Sequence, residues 1–178
     1  MPGIQPFETM AHHFEDFEHT AFRLETRRGY AVDVGTERYE RFRRGEPLPF
    51  EADNPWHANV RRQTAAGKRF ERVRLVDDPP TLGQRFLLAS GLGNVEAGED
   101  IRNLPRAEAE RLALPAVDFW LFDSRTLVRF HFDHDDNTLG VETIEDPAEV
   151  LAACQARDAA WHFAVPTVDF TARVLSGV

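Results

Sequence analysis

Charged residues alternate with apolar ones along three short segments of the chain. In TAFRLETR a charged residue recurs at every second position from the arginine onward, and the same spacing occurs at the end of RFERVRLV and in LVRFHFD. Side chains two residues apart project from the same face of a β-strand. Guanidinium groups bind phosphate and carboxylate groups through paired hydrogen bonds, so an anionic ligand is the chemistry that this pattern indicates.

Two interpretations of the pattern stay open. In the first, the strands are neighbours, their charged faces coincide, and the arginines form a concave surface for a phosphate, a nucleotide or a carboxylate. The ligand-binding residues of this hypothesis are Arg23, Arg27, Arg72, Arg74 and Arg129, and its candidates for general acid or base are Glu25 and His131. In the second, each charged face meets water, as the wet face of an antiparallel sheet does. The residues leave open whether the protein is an enzyme.

The run from His131 to Asp136 contains the residue types that bind metals. It lies where a hairpin turn is expected, however, and Asp and Asn are favoured in turns because they hydrogen-bond their own backbone. It also lacks the twelve-residue spacing of a calcium loop. The glycines of GLGNVEAG follow a helix rather than a strand, which argues against a dinucleotide fingerprint. We predict neither a metal site nor a cofactor.

Composition indicates an ordinary globular protein. The 178 residues are 42% hydrophobic and 29% charged, which favours a single α+β domain over residues 1–178. The net charge of −9 makes direct binding to nucleic acid unfavourable and fits a basic protein partner better. Cys154 is the only cysteine, no apolar run could cross a bilayer, and the first residues lack the features of a secretion signal. We therefore expect a cytoplasmic protein without a membrane association, and we keep a homodimer open.

Helices and strands follow one another along most of the chain. The first two thirds predict a helix over Phe7–Glu18 and a half-buried strand over Thr20–Ala31. Further elements follow in chain order: a helix over Thr36–Arg44, a loop over Glu46–Asp53, a helix from the Asn54 cap to Gly67, a strand over Arg69–Val76, a helix over Thr81–Ser90, an irregular stretch, and a brief strand over Ile101–Leu104.

The last third predicts an antiparallel meander followed by a helix. Three alternating strands are separated by short turns, at Val117–Phe122, Leu127–Asp133 and Leu139–Glu145. Asp146 then caps a helix in which Glu149 closes a capping box, and this helix buries Val150, Leu151, Cys154 and Trp161. The fold class that we predict is α+β, with a mixed, largely antiparallel sheet, a C-terminal three-stranded meander and amphipathic helices packed against it.

Three stretches of the chain resemble a family of uncharacterised actinobacterial proteins, the DUF6879 type. They are Phe14–Tyr30, the RVRLVDDPPT block with AGEDIR, and the meander with its final helix. Members are often encoded near helix-turn-helix regulators, so the resemblance implies a regulatory pairing but no activity or catalytic residue. Our first hypothesis is therefore a regulatory or accessory protein that binds a protein partner, such as a helix-turn-helix regulator. The alternative is an enzyme for a phosphate-bearing substrate, a nucleotide or RNA, and a third hypothesis is a small-ligand binding module that uses the same surface.

Overall fold

The structure, a computed structural model, describes residues 3–49 and 51–176. Its strands are β1 (Thr20–Glu25), β2 (Arg69–Val76), β3 (Asp100–Pro105), β4 (Phe119–Phe122), β5 (Thr126–Phe132), β6 (Thr138–Ile144) and β7 (Val165–Pro166). They form one seven-stranded sheet in the order β6-β5-β4-β1-β2-β3-β7. The central strands β1, β2 and β3 run parallel, and the other neighbours pair antiparallel. The prediction of an α+β fold with a C-terminal antiparallel meander is confirmed.

Helices cover both faces of this sheet. They are α1 (His13–Asp16), α2 (Glu37–Arg43), α3 (Pro55–Ala65), α4 (Leu82–Ala97), α5 (Arg106–Arg111), α6 (Pro147–Phe163) and α7 (Thr167–Ser176), with a 3-10 turn at Phe7–Met10. Three of them, α3, α4 and α6, begin at capping residues that the sequence signals. The side chains of Asn54 and Asp146 each accept hydrogen bonds from two backbone N–H groups, and Thr81 forms a capping box with Gln84.

Two hydrophobic cores lie on opposite faces of the sheet. On one face, Phe22 and Leu24 of β1 pack with residues of α6 such as Ala153 and Ala160. On the other face, Ala21 of β1 packs with the N-terminal segment, with α3 and with the aromatic side chains of β2 and β4. Strand β1 is thus buried on both faces, and the prediction of a half-buried strand is wrong. A strand in the middle of a sheet that helices cover on both sides has no wet face.

Other differences from the predicted elements have local causes. The N-terminal helix is broken into the 3-10 turn and α1, and β1 ends at Glu25, where the chain turns away. Helix α4 runs through the stretch expected to be irregular, and ends where Gly98 adopts a left-handed conformation at φ 117°. Glu149 binds Arg129 instead of closing a capping box, and Leu151 is exposed.

Among the described residues, no helix is both long and apolar enough to cross a membrane.

Candidate functional site

Three arginines that the sequence pattern singled out lie together on one face of the sheet. Strands β1 and β2 pair in parallel with Arg23 opposite Arg72 and Glu25 opposite Arg74. Side chains at paired positions of neighbouring strands share a face, so this register brings the charged residues of both strands together. All four residues are buried. We call Arg23, Arg72 and Arg74 the arginine cluster.

Three carboxylates bind the arginine cluster. Glu25 accepts hydrogen bonds from Arg72 Nη1 and Arg74 Nε, each at 2.5 Å. The two remaining carboxylates come from loops: Glu99 accepts from Arg72 Nε at 2.6 Å, and Asp118 from Arg23 Nη2 at 3.0 Å. The cluster is therefore a network of three cations and three anions, and its own charges balance.

The network fixes the ionisation state of its central carboxylate. Burial opposes the ionisation of Glu25, but Arg72, Arg74 and Arg23 outweigh burial and hold the pKa of Glu25 well below its usual range. Burial likewise opposes the charge on Arg72, yet Glu25 and Glu99 raise the pKa of this guanidinium above its usual value. Glu25 is consequently a weak base that stays ionised at neutral pH.

One fully buried N–H donor of the cluster has no hydrogen-bond partner. Arg23 Nη1 is buried and forms no hydrogen bond with any described residue. The guanidinium of Arg23 lies 3.9 Å from the ring centroid of Phe130 and 5.9 Å from the ring centroid of Trp120. Stacking on an aromatic ring satisfies the π face of a guanidinium but not its N–H groups. Buried polar groups are nearly always hydrogen-bonded, so this donor is an exception that needs an explanation.

A pocket of about 810 Å³ opens beside the arginine cluster, whose three members all line it. The β5 and β6 strands contribute one wall, with Phe130, Phe132 and Leu139. The segment after β1 contributes another wall, with Tyr30, Val32 and Asp33, while Phe7 and Leu87 complete the apolar lining. Val32 and Leu139 are 79% and 59% exposed and stand at the mouth. The volume is that of pockets that hold small ligands.

Tyr30 and Asp118 join the pocket wall to the network. The hydroxyl of Tyr30 donates to Asp118 Oδ2 at 2.6 Å, and the other oxygen of Asp118 accepts from the backbone N–H and the hydroxyl of Thr26. Burial, with the charges of Glu25 and Asp118, raises the pKa of Tyr30 well above its usual value. Tyr30 is therefore a neutral hydrogen-bond donor and holds this wall against the sheet.

Asp33 is a carboxylate of the pocket lining that lacks a partner among the described residues. Its side-chain oxygens form no ion pair or hydrogen bond with another residue in the described part of the chain. Burial and the nearby charge of Glu25 raise the pKa of Asp33 to about 6, although Arg74 acts in the opposite direction. The residues that line the pocket thus include Arg23, whose Nη1 is an unmatched donor, and Asp33, whose carboxylate is an unmatched acceptor.

The structure does not bring all predicted site residues to this pocket. Arg27 turns toward the β5–β6 hairpin, where its Nε binds the carboxylate of Asp136. Arg129 and His131 lie on the opposite face of the sheet, where Arg129 binds Glu149 at 2.7 Å and His131 lies 3.4 Å from Glu142. The assumption that all charged strand faces coincide is wrong for β5, because the face of this strand that meets the arginine cluster carries Val128, Phe130 and Phe132.

Sequence reasoning missed four polar residues of the site. They are Tyr30, Asp33, Glu99 and Asp118, and all four lie outside the strands. Three buried arginines require counter-charges, so the number of carboxylates could have been anticipated. Their positions could not, because loop residues reach the cluster only through tertiary folding.

Asp133 has a structural role in the hairpin turn between β5 and β6. One of its oxygens accepts hydrogen bonds from the backbone N–H groups of Asp135 and Asn137. In residues 3–49 and 51–176 there is no group of three or more His, Cys, Asp or Glu that could hold a metal ion.

Fold and site define an α+β protein with a buried, charge-balanced arginine cluster beneath an open pocket. The family model described as "Domain of unknown function (DUF6879)" matches residues 8–172. The chain belongs to the DUF6879 family. A comparison with curated proteins gives no match.

Proposed function

We propose that this protein is a binding module for a small ligand, which occupies the pocket over Arg23. The observation that carries the proposal is the unpartnered Nη1 of Arg23 beside a pocket of about 810 Å³. A buried donor without a partner costs about 1–3 kcal/mol. A ligand that places an acceptor on Nη1 would remove this cost, and its apolar part would cover Phe130 and Leu139.

The geometry supports binding better than catalysis. Glu25 is held ionised by three guanidinium groups, so it is poorly suited to accept a proton in a reaction. His131 lies on the other face of the sheet and cannot reach a ligand in this pocket. The guanidinium charges are neutralised by Glu25, Glu99 and Asp118, which leaves little positive charge for a phosphate. The enzyme hypothesis for phosphate-bearing substrates therefore receives no support from this arrangement.

Backbone NMR with a matched set of probes tests the proposal. The probes are phenylalanine, 3-phenylpropionate, phenethylamine and 3-phenylpropanamide, which share a ring and differ in their polar groups. We expect at least one probe to shift the amide signals of Tyr30, Phe130 and Leu139, which surround the pocket.

Two arginine variants separate the pocket from the other face of the sheet. We expect Arg23→Gln to weaken binding and Arg129→Gln to leave it unchanged, because Arg129 lies on the opposite face. If Arg23→Gln folds poorly, Leu139→Asp, at an exposed position of the mouth, replaces it. Unchanged pocket signals with all four probes would contradict the proposal.

A protein partner is the second candidate. The observation that favours it is the exposed apolar rim of the pocket, to which Phe7, Val32 and Leu139 contribute. With a net charge of −9, the chain would attract a basic partner, such as the helix-turn-helix regulator that the family resemblance implied. Titration calorimetry with a purified helix-turn-helix regulator tests this candidate. Val32→Lys and Leu139→Lys together should abolish the binding heat, and an unchanged heat would count against the rim.

A further inference from the structure

We infer that the ligand of this pocket carries an amine together with a hydrogen-bond acceptor, and that Asp33 binds the amine while Arg23 binds the acceptor. This inference rests on the proposed function and names the class of ligand. An amino acid or a related small molecule with an apolar body belongs to that class.

The charges that line the pocket do not balance. Its three cationic side chains belong to the arginine cluster and are already paired with Glu25, Glu99 and Asp118. Two further carboxylates, Asp33 and Glu8, line the pocket and form no ion pair within the described residues. The lining therefore carries an excess of negative charge, which favours a cationic or zwitterionic ligand over an anion.

The backbone that carries Asp33 is held in a turn beside the pocket. At the start of this turn the N–H of Ala31 donates to the carbonyl of Asp136. At its end the hydroxyl of Thr36 donates to the carbonyl of Asp33 at 2.7 Å. The first bond ties the turn to the β5–β6 hairpin and the second closes the turn itself, so the backbone that carries the carboxylate is positioned before a ligand arrives. Preorganised groups of this kind bind at a lower entropic cost.

The segment before this turn is held against α4. The hydroxyl of Thr81 donates to the carbonyl of Arg28 at 2.7 Å. Gly83 lies so close that a Cβ on it would approach the same carbonyl to 2.6 Å. The wall that carries Asp33 is therefore anchored to the helix on one side and to the β5–β6 hairpin on the other.

Much of the remaining lining of the pocket is apolar. Phe7, Phe130, Val32, Leu87 and Leu139 surround the space beside the two polar groups. An apolar lining with a few convergent polar groups is typical of sites that orient a small amphiphilic molecule. An unmatched donor and an unmatched carboxylate in the same pocket favour a molecule with both complementary groups.

Calorimetry at pH 7.5 with three of the probes tests the inference. Phenylalanine has both polar groups, 3-phenylpropionate lacks the amine, and phenethylamine lacks the carboxylate. We expect phenylalanine to bind most tightly and 3-phenylpropionate least tightly. Asp33→Asn should weaken the binding of phenylalanine and phenethylamine roughly tenfold, the loss expected for one charge-assisted hydrogen bond. Asp53→Asn is the matched control, because Asp53 is an exposed loop residue outside the pocket.

The outcomes separate this inference from the proposed function. If 3-phenylpropionate shifts the pocket signals and binds as tightly as phenylalanine, the pocket is a ligand site but the amine assignment is wrong. The same conclusion follows if Asp33→Asn leaves the affinity for phenylalanine unchanged. If no probe affects the pocket signals, the proposed function itself fails. A selective loss of affinity for the amine-bearing probes in Asp33→Asn alone, with circular dichroism unchanged, would support both.

Discussion

Replacement of Glu25 by glutamine tests the buried network most severely. The substitution keeps the shape of the side chain and removes its charge. Glu25 is 5% exposed and contacts Arg72 and Arg74 at 2.5 Å. Arg23 Nε lies 3.7 Å from Glu25 Oε1. Glu99 and Asp118 would then face three guanidinium groups alone, and one buried positive charge would be left without compensation.

The magnitude follows from that unpaired charge. Removal of one partner from a buried ion pair costs about 3–5 kcal/mol, because the remaining charge stays desolvated. For a chain of this length, each kcal/mol lowers Tm by about 2–4 °C, so we expect a fall of roughly 10 °C. Glu142→Gln is the matched control on the opposite face. Glu142 is partly exposed beside Arg129, so its loss should cost below about 1 kcal/mol.

Urea unfolding at several pH values provides the assay. The folded pKa of Glu25 is depressed, so its contribution is complete above the ordinary value of 4.5 and is lost as the pH falls below that value. The difference between wild type and Glu25→Gln should therefore shrink on acidification. If Glu25→Gln lowers the free energy of unfolding by less than about 1 kcal/mol at pH 7, the network is not desolvated as described, because water must then reach the guanidinium groups.

A double substitution checks the cause. Glu25→Leu with Arg74→Met removes both partners of one pair and leaves the Arg72–Glu99 and Arg23–Asp118 pairs in place, so it should be less destabilising than Glu25→Leu alone. An equal or greater loss in the double variant would place the effect in packing rather than in charge.

Two further predictions concern the pocket wall. Asp33→Asn should stabilise the protein at pH 7.5, because the raised pKa of Asp33 means that the folded state disfavours its charge. The shift from 3.8 to about 6 corresponds to about 3 kcal/mol, which solvent screening of this partly exposed group reduces to about 1 kcal/mol. Most of the gain in the free energy of unfolding should be lost at pH 4, as measured by urea unfolding. An equal gain at both pH values would contradict the raised pKa of Asp33. Gly83→Ala should destabilise the protein by about 1–3 kcal/mol and weaken phenylalanine binding, because its Cβ would press on the backbone of Arg28. Unfolding and calorimetry measure both effects, and unchanged values would show that the wall is not held there.

Local signals in the sequence located many of the elements. The cap at Asn54 with Pro55 and the cap at Asp146 with Pro147 gave the starts of two helices, because these residues satisfy N–H groups that no helix can satisfy internally. Alternation gave the strands of the meander to within two residues at either end. Elements with weak local signals were missed, among them α5 and α7.

The candidate site could be predicted only in part. Alternation showed that Arg23 and Glu25 share one face of their strand and that Arg72 and Arg74 share one face of theirs. It did not show that helices bury both faces of the sheet. The prediction that Arg129 joins the other arginines failed. Alternation along a strand does not tell which of its two faces meets the charged face of the neighbouring strand. Asp33 and Asp118 could not be placed, because their distance from the cluster depends on how the chain folds after β1 and before β4.

The most direct measurement is a crystal structure of the protein soaked with phenylalanine. We predict electron density in the pocket, with the carboxylate of phenylalanine within hydrogen-bonding distance of Arg23 Nη1 and its ammonium group beside Asp33. Density for the probe at another site, or an empty pocket at a concentration that gives a calorimetric signal, would contradict it.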